Sequence, residues 1–312
     1  MAEYYGTREA FTAALLDIAK SNDRIMFVSC DSLKAMRATA FAEQYPARYV
    51  EVGIAEQCAV DLAAGLAASG LVPFVGTYAG FLTMRACEQM RTFVAYPELN
   101  VKFAGINGGL IGGEREGVTH QFYEDVGVTA MLPTFTIFTP ADGNQTYHAV
   151  KAAAEITGPV YIRAGSGREI DVYTKDAPFS KNGFTVFLND GVDVLLLSSG
   201  FILDRVIDAG KTLKRDGVKC TVADVNILYN KNPGELLDLL AKYERIVTVE
   251  DHSVNGGLGS WICSLVCEHK PAKVKRIGLR SFGESGPAKE LADCYGFDAG
   301  SIAQGAKEII NN

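Results

Sequence analysis

Short apolar runs alternate along this chain with stretches of helical spacing. An amphipathic helix is predicted over residues 9–20, followed by a buried strand at 24–30 that ends at Asp31. Val50, Val52 and Ile54 alternate with polar or small neighbours, which predicts a short buried strand end. The Ala-rich stretch 55–68 then predicts an apolar helix, broken by Gly70 and Pro73. Strands follow at 72–75, 100–104, 135–139 and 159–163, with helices at 81–95 and 142–156 and a glycine-rich loop at 105–117. Beyond a polar, aperiodic stretch, strands recur at 192–198, 219–225, 245–249 and 273–278, and helices lie between them and at the end. Such alternation implies an α/β fold, a mostly parallel sheet with helices on both faces. Ligands in such folds lie beyond the carboxyl ends of the strands. Asp31, Glu56, Tyr78 and the loop 105–117 all fall there.

Length and charge narrow the picture. The 312 residues fit two domains of about 150 residues each: residues 1–168, a linker at 169–188, and a second α/β domain at 189–312. A net charge of −7 argues against nucleic acid or an anionic membrane as partner. Seven cysteines without framework spacing read as buried thiols in a reducing compartment. The first residues show no basic-then-apolar leader, and the most apolar window, 59–82, contains Asp61, Ser69 and Pro73. A soluble, cytoplasmic protein is expected.

Glu56 falls in the first turn of a predicted helix with an apolar body. By position alone it reads as an acid complementing the helix dipole. The sharper reading is a buried acid, protonated when a partner needs a hydrogen bond. Other signals carry less. Gly210-Lys-Thr212 lacks the upstream glycine of a phosphate loop, that position being Arg205. Cys263 and Cys267, near His269, share a helix with Trp261, Ile262, Leu265 and Val266 and read as core thiols, so no metal site is expected. His148 and His269 read as surface histidines.

Several blocks taken together change the weight of Glu56. Val52-Gly-Ile-Ala-Glu-Gln57, Gly76-Thr-Tyr-Ala-Gly-Phe81, Gly113-Glu-Arg-Glu-Gly-Val-Thr-His-Gln121, Thr139-Pro-Ala-Asp142 and Gly158-Pro-Val-Tyr-Ile-Arg163 resemble the pyrimidine-binding domain of transketolases and of 1-deoxyxylulose-5-phosphate synthase. Glu250-Asp-His-Ser-Val-Asn-Gly-Gly-Leu-Gly-Ser260 and Phe282-Gly-Glu-Ser-Gly286 resemble the transketolase C-terminal domain. The resemblance implies a thiamine diphosphate enzyme that transfers a two-carbon ketol unit. In it, Glu56 matches the acid that hydrogen-bonds the aminopyrimidine ring. Tyr78 and Phe81 match aromatics packed on that ring, and Asp31 and Ile54 belong to segments lining the cofactor. His120 matches a histidine that contacts substrate oxygens and shuttles protons.

The resemblance also implies what this chain lacks. Transketolases bind the diphosphate and Mg²⁺ through a Gly-Asp-Gly motif in an N-terminal domain, and no such tripeptide occurs here. A split enzyme is therefore implied, with a separate N-terminal subunit holding diphosphate and Mg²⁺ in an α2β2 assembly. Three departures touch the substrate, expected to be a small sugar or sugar phosphate. Glu116 replaces a shorter acid that recognises a substrate hydroxyl, and Gly108 replaces a histidine. Ser166 stands where an arginine grips the phosphate; Arg163 and Arg168, which flank it, and Lys34 and Arg37 in the loop after Asp31 are candidate substitutes. Two competing readings are the β subunit of a 2-oxoacid dehydrogenase and a non-catalytic regulatory homologue.

Overall fold

The computed structural model describes residues 6–311; residues 1–5, part of the segment read above as lacking a leader, and Asn312 lie outside the described residues. The first half of the chain supplies strands β1 (Ile25–Ser29), β2 (Tyr49–Glu51), β3 (Val72–Tyr78), β4 (Lys102–Ile106), β5 (Thr136–Phe138) and β6 (Val160–Arg163). The second supplies β7 (Phe184–Asn189), β8 (Val194–Ser199), β9 (Cys220–Val225), β10 (Ile227–Leu228), β11 (Arg245–Ser253) and β12 (Lys273–Leu279). Among the described residues they form two sheets, ordered β10-β5-β6-β4-β3-β1-β2 and β12-β11-β8-β9-β7.

β1, β4, β6, β8 and β9 are buried along their whole length. Continuous apolar strands are what a parallel sheet covered on both faces requires. Helices Thr7–Ser21 and Gly143–Glu155 cover one face of the first sheet, packing Phe11, Leu15 and Val150 against Phe27 and Phe74. Helix Glu56–Ala68 covers the other, where Ala59, Val60 and Ala63 meet Val28, Val75 and Phe103. That core continues without a break into Leu195, Leu197, Val225 and Trp261 of the second half. Each large side chain buried this way contributes about 1.5–3 kcal/mol, so the two halves share stability as well as a boundary.

The structure departs from the sequence expectations in five places. β2 is an edge strand with Glu51 exposed, and Ile54 is 73% exposed, so this is not a buried strand end. The helix expected at 81–95 is broken into π-helical stretches Phe81–Arg85 and Met90–Ala95 around a short turn, Cys87–Gln89. β7 occupies the last part of the expected linker and pairs antiparallel with β9. The rest of that stretch is tied down, since Val172 and Tyr173 each donate a backbone N–H to Asp142 Oδ2 at 2.7 Å. β10 crosses back and pairs antiparallel with β5, so the first sheet takes an edge from the second half. Finally, only Cys30 and Cys220 are buried; Cys58, Cys267 and Cys294 are exposed and Cys263 is half-buried. The thiols on helix Leu258–Glu268 therefore lie off its buried face, which Leu258, Trp261, Ile262 and Leu265 form.

Candidate active site

Glu56 opens helix Glu56–Ala68 just past the carboxyl ends of β1 and β3 and is buried, at 1% exposure. A carboxylate in the first turn is favoured by the helix dipole. Its Oε2 also accepts a hydrogen bond from Arg85 Nη1 at 2.6 Å. The Arg85 guanidinium in turn lies 4.4 Å from the centre of the Phe81 ring. Both residues stand on the first π-helical stretch, which turns Leu82 and Thr83 into the core.

Phe81 is the hub of an aromatic group. Its ring centre lies 5.8 Å from Tyr78, 5.2 Å from His120 and 5.0 Å from Phe122, each edge-to-face. Tyr78 and His120 close the triangle at 5.3 Å and 87°. Edge-to-face pairs contribute about 0.5–1.5 kcal/mol beyond their burial, which holds the histidine ring without a hydrogen bond to the cluster. His120 Nδ1 lies 3.0 Å from Thr119 Oγ1. Gly80 is needed here, because a side chain at that position would run into the Phe122 ring.

The loop that carries His120 is gripped by the second half of the chain. Asp251 Oδ1 and Oδ2 accept the backbone N–H groups of Leu110 and Ile111 at 2.8 and 3.1 Å. Gly109, at φ 85°, leaves the room Asp251 occupies. Farther along, Gln121 Nε2 donates to the Glu284 carbonyl at 2.7 Å, and Gly286 N–H to the Glu114 carbonyl at 3.1 Å. Thus the block Phe282–Gly286, far away in sequence, helps shape the histidine loop.

Tyr78 also acts electrostatically on Arg8, which the motifs did not single out. Its Nε donates to the Gly165 carbonyl at 3.0 Å, its Nη1 to the Ala35 carbonyl at 3.2 Å, and its Nη2 to Asn107 Oδ1. Burial pushes its pKa down, while Glu169, Tyr78 and Glu116 act in the opposite sense. Glu116 is exposed. Asp31 is exposed too, at φ 52°, and its N–H donates to Glu51 Oε1 at 2.7 Å; it stands beside Glu51 and Gly53.

Arg163 is a correction. Expected to face an anionic substrate, it is 2% exposed. Its Nε donates to Asp125 Oδ2 at 3.0 Å and its Nη2 to the carbonyls of Asp251 and Phe122 at 2.9 and 3.3 Å. The guanidinium is consumed in joining the two halves. Arg168 is half-exposed and pairs with the buried Glu114. Around Arg163, burial pushes the Glu250 carboxyl up to about 7, against the N–H groups of Leu258 and Gly259 that it accepts at 2.6 and 2.9 Å. Burial also pushes His252 down to about 4, so it is neutral at pH 7. Among the described residues no group of three or more His, Cys, Asp or Glu side chains could hold a metal ion, and no helix is long and apolar enough to cross a membrane.

The α/β chain thus forms two interlocked halves, with a buried acid joined through Arg85 to an aromatic–histidine cluster. Residues 3–167 match the transketolase pyrimidine-binding domain and residues 183–302 the transketolase C-terminal domain. This chain belongs to the transketolase family. It is 34% identical to one subunit of the apulose-4-phosphate transketolase of Phocaeicola vulgatus, with 97% of each chain covered. It is 32% identical to a 6-deoxy-6-sulfo-D-fructose transketolase subunit of Clostridium sp., covering 98% of this chain and 95% of that one. Against the 1-deoxy-D-xylulose-5-phosphate synthase 1 of Geobacter sulfurreducens, 31% identical, it spans 47% of the length. Among solved structures, one described as a split gene transketolase, inactive β4 tetramer, superposes with a TM-score of 0.87 at 35% identity, covering 98% of both chains.

Proposed function

We propose that this chain is the C-terminal subunit of a split, thiamine diphosphate-dependent transketolase, moving a two-carbon ketol unit from a ketose to an aldose. The observation that carries this reading is buried Glu56, joined through Arg85 to the Phe81 ring, which Tyr78 and His120 flank. An aminopyrimidine ring needs a carboxyl for its ring nitrogen and a flat apolar surface for its face, and Glu56 and Phe81 offer both. The residues present fit that half of the cofactor. When bound, thiamine diphosphate supplies an acidic carbon able to add to a carbonyl.

In this reading Glu56 would hydrogen-bond the pyrimidine ring nitrogen, and Phe81 and Tyr78 would hold the ring plane. His120 sits at the open side of the cluster, where it hydrogen-bonds substrate oxygens and moves protons to and from them. Asp31 and Ile54 border the cofactor, and Ile54, Met84, Phe93 and Tyr96, all exposed, are the apolar surface against which a second subunit closes. That subunit supplies the diphosphate and Mg²⁺ site, in an α2β2 assembly in the cytoplasm. Coverage of about half of a single-chain synthase supports the missing half, and a relative described as an inactive β4 tetramer supports a chain that self-associates and needs a partner.

The substrate is a small sugar bearing an anionic group, phosphate or sulfonate. Relatives named for apulose 4-phosphate and for 6-deoxy-6-sulfofructose support both. Arg8, with N–H donors left on Nη1 and Nη2, and Arg168 take the anion, and Glu116 takes a hydroxyl. The test is to purify the chain with its natural partner and assay ketol transfer between sugar phosphates, with wild-type chain and with Glu56→Gln. Transfer lost in Glu56→Gln supports the reading. Reduction of a lipoyl acceptor in place of transfer assigns the complex to the 2-oxoacid dehydrogenases.

A further inference from the structure

The Glu56 carboxylate is paired in this structure with one guanidinium, that of Arg85. Its own side chain is 2% exposed, whereas that of Arg85, hydrogen-bonded to it, is 43% exposed. Arg85 therefore links the buried carboxylate to the protein surface. It also lies over the face of Phe81. A guanidinium is a flat, hydrogen-bonding plate, and an aminopyrimidine is another. Both would use the same two partners, a carboxylate oxygen and an aromatic face.

We propose that Arg85 is a positioning residue of the cofactor site: in the free chain it fills the aminopyrimidine's place on Glu56 and Phe81, and it gives up that place when the cofactor docks. The inference rests on the thiamine reading above. The ion pair needs Glu56 as an anion, whereas donating to a ring nitrogen needs it as an acid, so the charge that holds Arg85 is absent once the ring is bound. Without a counter-charge, a buried carboxylate in the free chain would be costly. Arg85 stabilises it there and keeps its side chain aimed outward.

Release is structurally easy. Among the described residues Arg85 makes one hydrogen bond and one ring contact, both already named. It sits at the end of a π-helical stretch beside the exposed Met84, where the helical ladder is already irregular. The same arrangement makes unassembled chains poor at taking up cofactor, since nothing but a ring held by the partner subunit competes for Glu56.

The test uses the chain assembled with its natural partner, titrated with thiamine diphosphate and Mg²⁺ and followed by calorimetry and by near-ultraviolet circular dichroism of the bound cofactor. Arg85→Gln, which removes the charge, should bind the cofactor roughly five- to tenfold more tightly than wild type. Arg85→Lys, which restores the ion pair, should lie within about twofold of wild type. In a Glu56→Gln background, Arg85→Gln should shift affinity by less than about twofold, because the partner it competes for is gone. Weaker or unchanged binding in Arg85→Gln would overturn the proposal while leaving the thiamine reading standing. Failure of the wild-type complex to bind the cofactor would overturn both.

Discussion

Arg163 and Asp125 meet at 3.0 Å where neither is more than 3% exposed, and the pair lies under the boundary between the two halves. Asp125 Oδ2 also accepts the Tyr161 hydroxyl at 2.6 Å, and the Arg163 guanidinium reaches the Asp251 carbonyl. The carboxylate and the guanidinium are thus each satisfied only while the other stays. Removing one leaves a buried charge without its partner, which typically costs about 3–5 kcal/mol. Asp125→Ala should therefore lower the unfolding free energy of the purified chain by that order in urea denaturation. The double variant Asp125→Leu/Arg163→Met should recover much of the loss, because it buries no lone charge.

Arg8 offers a contrast, since the proposed reading gives its spare N–H donors to the substrate's anionic group. Arg8→Gln should raise KM for a phosphorylated or sulfonated sugar roughly tenfold, the loss of one charge-assisted contact. kcat should change little, and an uncharged sugar analogue should be used equally well by both forms. Equal KM values for the anionic substrate would remove Arg8 from the site.

Asp224 sets a pH dependence. Burial pushes its carboxyl up to about 7 from an ordinary 3.8, although Tyr173 Oη and Gln145 Nε2 donate to Oδ2 at 2.7 and 3.2 Å. Its Oδ1 is buried without a hydrogen-bond partner. Between those two pH values the folded chain keeps a proton that the unfolded chain releases. This contribution to stability is present in full below pH about 4 and is lost as pH rises through about 7. Asp224→Asn keeps an oxygen for both donors and cannot ionise. The Tm of wild type minus that of Asp224→Asn should fall from pH 4 to pH 8. A flat difference would mean that Asp224 is already ionised in the folded chain at low pH.

The residues legible in the sequence were those held by local pattern. Glu56 follows a strand end and opens an apolar helix, and Tyr78 and Phe81 stand three apart at the next strand end. The block containing His120 is contiguous. Most strands and helices lie within a few residues of where periodicity puts them. What escaped depends on pairing across distance. Arg163 reads as a flank of the phosphate position until Asp125, 38 residues earlier, and Asp251, 88 later, close over it. β10 is two residues long and gains its meaning only from β5. Arg85 was hidden because regular helical spacing over 81–95 does not announce a π turn. Arg8 lies outside every block, and its tie to Asn107 spans 99 residues.

The central claim is that this chain holds half of a thiamine site and needs another chain for the rest. Its most direct test compares the chain alone with the chain bound to the subunit that co-purifies with it, measuring bound thiamine diphosphate and two-carbon transfer between sugar phosphates. The account predicts neither from the chain alone and both from the assembly. Transfer by the isolated chain, or an assembly that takes up no cofactor, would contradict it.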